Sequence, residues 1–334
     1  MTSTTLKKIA DVLGLSISTI SRALKDHPDI SEKTKRKIVQ LADTLEYEPN
    51  INAINLRNKN SKVFGIIVPS ISNYFYDSFI AAVEEESRKN NYSLMILQSG
   101  DETEGELQNI RLCRQNRITG LFSCISTHTK NYDAYTKLKE LNIPVVFFDK
   151  VPEDGNFHKV TVGDTIAAKL AAEVILKTNK KKILAFFGNE NLLITKKRLA
   201  AFKETCNTNS SGIELTIAHA STSLEAKEIA DKLLLNIPDV VFCMSDEILT
   251  GVMKSIQKNK INFPKDLSVI AMSNGFIPKL YYPEITYVET SGYKLGKLAF
   301  SSMLLCLSGI TSIQEIEAES ILVEGGSMGE MKNF

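Results

Sequence analysis

The chain has 334 residues, long for a single domain and enough to bury a large core. Its 40 Lys and Arg nearly balance its 39 Asp and Glu, but the first 62 residues carry a net +4 and the remainder −3. No apolar h-region opens the chain and no run of about 18 apolar residues occurs, so neither a signal peptide nor a membrane span is expected. Cys113, Cys124, Cys206, Cys243 and Cys306 are scattered and never form C-x-x-C, which points to buried thiols in the cytoplasm rather than disulfides or metal ligands.

The first predicted elements are two short amphipathic helices around a glycine turn. Leu6, Ile9, Ala10 and Leu13 recur at helical spacing, Gly14 suits the left-handed residue that ends a helix, and Ser16 suits the cap of the next. Ile20, Ala23 and Leu24 then point inward and Ile17, Ser18, Ser21 and Arg22 outward. Hydroxyls, one apolar side chain and an arginine on one face suit the DNA major groove. An ordinary helical hairpin with a solvated face has the same pattern, and the segment alone leaves both readings open. A third helix follows, with Ser31 as its cap and Ile38, Leu41, Ala42 and Leu45 as its stripe. The basic excess of this end beside an acidic body fits a phosphate-binding head.

Residues 48–62 hold five Asn and one Pro, too few helix formers for a helix stable alone. A flexible linker is one reading. The other rests on Ile51, Ala53, Ile54 and Leu56, a one-turn apolar face with no core in reach that can fold on meeting a partner. Arg57 and Lys59 are placed to anchor nearby phosphates.

From Val63 the pattern becomes short apolar runs alternating with amphipathic stretches. Strands are predicted over 63–68, 93–98, 120–125, 145–149 and 160–162, then over 182–187, 214–219, 240–244, 267–272 and 286–289. Helical patterns between them include 75–89, 167–176, 225–234 and 293–307. Such Val/Ile/Phe runs read as parallel strands buried on both faces, and the twofold series as two doubly wound lobes.

The chain resembles the LacI/GalR family of bacterial transcription regulators. The resemblance rests on Gly14-Leu15-Ser16, Ser18-Thr19-Ile20-Ser21-Arg22-Ala23-Leu24, Tyr47-Glu48-Pro49-Asn50 and Ala53-Ile54-Asn55-Leu56 in the first 60 residues. It continues through Gly65-Ile66-Ile67-Val68-Pro69, Ile71-Ser72-Asn73, Pro144-Val145-Val146 and Ile285-Thr286-Tyr287-Val288 to Leu322-Val323-Glu324. The resemblance implies an all-α helix-turn-helix head over 1–47 and a hinge over 48–61. It also implies a periplasmic-binding-protein-like α/β body over 62–334 with two doubly wound parallel-sheet lobes. The N-lobe is expected over about 62–160 plus 291–322, and the C-lobe over 161–290 plus 323–334.

In such a regulator Ile17, Ser18 and Arg22 read base edges, while Ser16, Thr19, Ser21 and Lys25 position the helix on phosphates. The resemblance implies that two hinge segments, here with Asn50, Ala53, Leu56 and Arg57, pair in the minor groove, with Leu56 as a wedge at the central base step. It places the effector between the lobes, near Phe75, Tyr76, Asp149, Arg198 and Asp246. Where family members often carry an acidic pair this chain has Ser273-Asn274, which still suits a hydroxylated ligand. Ala201 stands where Gly is usual and Tyr74 where Pro is frequent.

Expected partners are a double-stranded DNA operator, a small sugar-like effector and a second copy of the chain, with no cofactor, metal or membrane. G-x-S-x-G, P-loop and H-E-x-x-H motifs are absent, Gly292–Lys297 has the wrong spacing for a P-loop, and His27, His128, His158 and His219 are isolated. An enzyme of similar α/β architecture and a sugar-binding transport protein are the alternatives.

Overall fold

A computed structural model of the chain describes residues 5–47, 61–153, 156–209, 212–310 and 312–329. It forms two compact units that divide between Ser61 and Lys62.

The first unit holds three helices, α1 (Leu6–Leu13), α2 (Ile17–Ala23) and α3 (Glu32–Thr44). Each starts at a hydroxyl cap: Thr5, Ser16 and Ser31 accept from the backbone N–H of Lys8, Thr19 and Thr34. Gly14 ends α1 with φ +65°, where a Cβ would be strained. Ile9, Ala10, Ile20, Ala23, Ile38 and Ala42 make the core, and Leu24 packs against it half-buried. So small a core leaves little margin.

In the second unit the predicted strands lie in two six-stranded sheets. The N-lobe carries β1 (Val63–Val68), α4 (Tyr74–Lys89), β2 (Ser93–Gln98), α5 (Thr103–Gln115), β3 (Gly120–Ser123), α6 (Asp133–Glu140), β4 (Val145–Phe148) and β5 (His158–Val162). The C-lobe carries α7 (Asp164–Leu176), β6 (Lys182–Phe187), α8 (Leu193–Asn209), β7 (Glu214–His219), α9 (Ser223–Leu233), β8 (Val240–Cys243), α10 (Asp246–Lys258), β9 (Ser268–Ser273) and β10 (Thr286–Glu289). The chain returns through α11 (Gly292–Leu307) and β11 (Glu315–Ala318) to the N-lobe and ends on β12 (Leu322–Val323) in the C-lobe. Sheet order is β11-β5-β4-β3-β1-β2 in one lobe and β12-β10-β9-β8-β6-β7 in the other. Every pairing is parallel except β12 on β10.

The lobe crossings differ slightly from expectation. Thr161 and Val162 still pair with β11, so the first crossing falls at Gly163; Leu322 already pairs with Val288 in the other sheet. Helix α7 begins at Asp164 rather than at the apolar Ala167, because its polar first turn carries no periodicity signal. Gly292 and Gly296 let α11 lie against α4: a Cβ at Gly292 would stand 2.2 Å from the Phe75 carbonyl oxygen, and one at Gly296 2.7 Å from that of Phe79. No helix among the described residues is long and apolar enough to cross a membrane.

Candidate functional site

Two surfaces gather the predicted residues. On α2, burial of Ile20 and Ala23 turns Ile17, Ser18 and Arg22 outward, and Ile17 is left 49% exposed. Ser16, Ser18 and Lys25 are exposed and Thr19 and Ser21 half-buried. The Ser16 hydroxyl caps the helix and lies 2.7 Å from that of Ser18 and 2.8 Å from that of Thr19, so these three hydroxyls form one local cluster. Asn50, Ala53, Leu56 and Arg57 lie outside the described residues.

The second surface is a cavity of about 400 Å³ between the lobes, at the carboxyl ends of strands of both sheets. Phe75, Tyr76, Asp149, Arg198, Asp246 and Asn274 all line it. The Tyr76 hydroxyl donates to Asp149 Oδ2 at 2.7 Å. Burial, then the Asp149 charge, pushes the Tyr76 pKa well above its ordinary value, so the phenol stays a donor. Asp149 follows β4 with φ +58°, a conformation rare outside glycine that aims its carboxylate into the cleft.

Arg198, 6% exposed, is partly engaged by the protein itself. Its Nε and Nη2 each stand 2.8 Å from Asp164 Oδ1, and Nη1 donates to the Met244 carbonyl at 3.3 Å. N–H groups on the two Nη atoms remain for a ligand. The fork expected to face a ligand whole is therefore shared with Asp164, which the apolar pattern of α7 did not mark. Burial raises the Asp164 pKa, and the adjacent Arg198 opposes that shift.

Ser273 departs from expectation. It does not line the cavity; its hydroxyl donates to Asp246 Oδ1 at 2.5 Å and accepts from the Gly275 N–H at 2.9 Å. Asp246 Oδ2 accepts from the Asn274 N–H at 2.9 Å. These two bonds lower the Asp246 pKa, but burial outweighs them and raises it. Ser273 thus positions an acceptor rather than offering one. The Asn274 side chain bridges the lobes: Nδ2 donates to the Tyr74 carbonyl, while Oδ1 accepts from the Gly292 N–H at 2.9 Å and the Ser78 hydroxyl at 3.3 Å.

Other cleft residues escaped the sequence reading. Asn73 caps α4 by accepting from the Phe75 and Tyr76 N–H groups and donates across the cleft to Glu247 Oε1. The Glu247 pKa is raised, first by burial and then by the charges of Asp246 and Asp149. The Tyr74 and Phe276 rings stack across the lobes, centroids 5.4 Å apart, at the position where Pro is frequent in the resembling family. Lys150 pairs with Asp101 at 2.5 Å, and His128, set aside as isolated, lines the cavity. The signal available was adjacency: Glu247 follows Asp246, Lys150 follows Asp149, and Asn73 is an evident helix cap. The arrangement offers carboxylate acceptors opposite guanidinium donors in a largely desolvated space, suited to a small ligand rich in hydroxyls.

Comparison with known proteins matches both units. The family model for periplasmic binding proteins and the sugar binding domain of the LacI family covers residues 61–318, and that for bacterial regulatory proteins of the lacI family covers 5–50. The HTH-type transcriptional regulator RegA of Clostridium saccharobutylicum is 28% identical over 312 residues, 91% of this chain and 93% of that protein. The ribose operon repressor of Bacillus subtilis (strain 168) is 25% identical over 90% of each chain. The structure of the lac repressor dimer bound to operator and the anti-inducer ONPF superposes with a TM-score of 0.87 at 18% identity, over 98% of this chain and 99% of that one.

Proposed function

The chain belongs to the LacI family of bacterial transcription regulators, and on that premise we propose that it is a repressor that binds a pseudo-palindromic operator as a homodimer in the cytoplasm. Two copies of α2 enter successive major grooves, with Ile17, Ser18 and Arg22 at base edges and Ser16, Thr19, Ser21 and Lys25 toward phosphates. Residues Asn50, Ala53, Leu56 and Arg57 belong to a hinge that folds on DNA, with Leu56 unstacking the central step.

A small hydroxylated ligand, a sugar or a derivative, occupies the cleft and controls DNA binding. The observation that carries this is that the remaining N–H groups of Arg198 and the carboxylates of Asp149 and Asp246 line one cavity. Phe75 and Tyr76 supply an apolar wall beside the ligand, and Asn274 supplies polar atoms at the lobe crossing. Ligand binding shifts the lobes, and the shift decides whether the two hinges pair. The named relatives include a ribose operon repressor, which supports the ligand class. The family assigns transcription regulation, so the enzyme alternative falls away, and a transport binding protein has no use for a helix-turn-helix unit.

Selection of bound duplexes from a random pool tests the reading. An inverted repeat is the expected product; recovery of no symmetric site by the full chain would overturn it. Thermal-shift screening against sugars then identifies the ligand, whose addition should change operator affinity.

A further inference from the structure

The cleft has a second compartment of different electrical character. A cavity of about 570 Å³ shares Thr127, His128, Asp149, Lys150, Leu192 and Ile194 with the first and continues between the lobes. Four lysines line it: Lys130 and Lys150 from the N-lobe, and Lys196 and Lys197 from the first turn and a half of α8. Lys150 is paired with Asp101. Lys130, Lys196 and Lys197 have no ion-pair partner among the described residues. Of the acids lining the same space, Asp164 is paired with Arg198, while Asp149, which accepts from the neutral Tyr76 hydroxyl, and Glu153 have no ion-pair partner among the described residues. Four lysines therefore stand against three carboxylates here, the excess lying on the C-lobe bank, whereas the first compartment is lined by Asp101, Glu102, Asp149, Asp246 and Glu247 against Lys150 and Arg198.

Ammonium groups facing one another across a gap narrower than the Debye length, about 8 Å at physiological salt, repel with little screening. An anion between them is attracted to both banks at once and holds the lobes together. Lysine serves as a compact point charge for phosphate or carboxylate, without a preferred fork geometry.

We propose that the lysine compartment receives the anionic end of the effector while its hydroxylated end lies among Asp149, Arg198 and Asp246. The effector class is then a sugar phosphate or a sugar acid rather than a neutral sugar. This rests on the reading of the cleft as the effector site. It adds a requirement for negative charge and makes that charge the bridge that closes the lysine side of the cleft.

The test uses the full chain and a double variant, Lys130→Gln with Lys196→Gln. Thermal unfolding is followed with inorganic phosphate against sodium chloride at equal ionic strength, then with D-ribose, D-ribose 5-phosphate and D-ribonate. Inorganic phosphate should give the wild type a saturable rise in Tm beyond that of chloride, and the double variant should lose it. A larger rise with the 5-phosphate identifies a phosphate ester, and a larger rise with ribonate a carboxylate. Equal responses to phosphate and chloride, or a phosphate response undiminished in the double variant, would overturn the proposal. Operator binding by the same wild-type preparation reads the premise separately. An anion response without any operator sinks the regulator reading alone, and operator binding without an anion response sinks the anionic compartment alone.

Discussion

Seven consecutive residues of α2 supply both the buried and the outward face of the DNA-reading unit, whereas the cleft is assembled from groups that lie up to two hundred positions apart, as in the Asn274 side chain bonded to the Tyr74 carbonyl. In the head, burial of Ile20 and Ala23 fixes by helical geometry where Arg22 points. In the cleft, nothing local fixes Arg198; its direction is set by Asp164 from another helix. A local site has functional residues that can change without harm to the core. A distributed site has functional residues that also hold the fold.

The sharpest break of that contrast is Arg198→Ala. It leaves Asp164 buried without its partner, and loss of one member of a buried pair costs about 3–5 kcal/mol. Denaturant unfolding should show that loss in the second unit together with loss of effector response, and Asp164→Asn in the same chain should recover part of the stability. If Arg198→Ala unfolds like the wild type, the pair is not structural. Ile20→Ala comes next, with about 2–5 kcal/mol lost from a six-residue core. Circular dichroism of the helical head should register it, whereas Ile17→Ala should leave head stability within about 0.5 kcal/mol, as exposed positions do.

Arg22→Ala should weaken specific DNA binding by about 1–3 kcal/mol and relax base preference in each half-site while unfolding normally. Binding titrations on matched and mismatched operators would read both effects. Ser273→Ala removes one acceptor-positioning bond and should weaken effector response by about 0.5–1.5 kcal/mol with little change in operator affinity. A direct ligand contact would instead show as selectivity between ligands that differ in one hydroxyl.

The smallest expected effect is in pH dependence. Glu247 and Asp246 have folded-state pKa values raised above their ordinary ones, so the native chain binds their protons more readily than the unfolded chain does. The stability that these charges cost at neutral pH is recovered as pH falls through the raised values. Glu247→Gln keeps an acceptor for Asn73 without the charge. It should stabilise the second unit at neutral pH, and that gain should shrink on acidification. A gain independent of pH would place the cause elsewhere.

Alternation and period make the strands and most helices legible, and residue type the Ser16 and Ser31 caps of the head, because each depends on neighbours in the chain. The Thr5 cap of α1 is not among the expected ones. The polar first turn of α7 is not legible either, and with it goes Asp164, the residue that decides how Arg198 is presented. Ser273 is expected at the ligand because Ser273-Asn274 stands where family members often carry an acidic pair. Its hydroxyl instead turns to Asp246, a preference set by burial and not by spacing. His128 looked isolated in sequence because its cleft neighbours lie on other loops.

Gly292 carries one more consequence. It opens the helix that follows the second lobe crossing, sits with its backbone against Phe75, and gives its N–H to Asn274. At that crossing backbone meets backbone, with no room between the two helices for any side chain. Even a single added methyl group, as in Gly292→Ala, would press on the Phe75 carbonyl and wedge α11 away from α4.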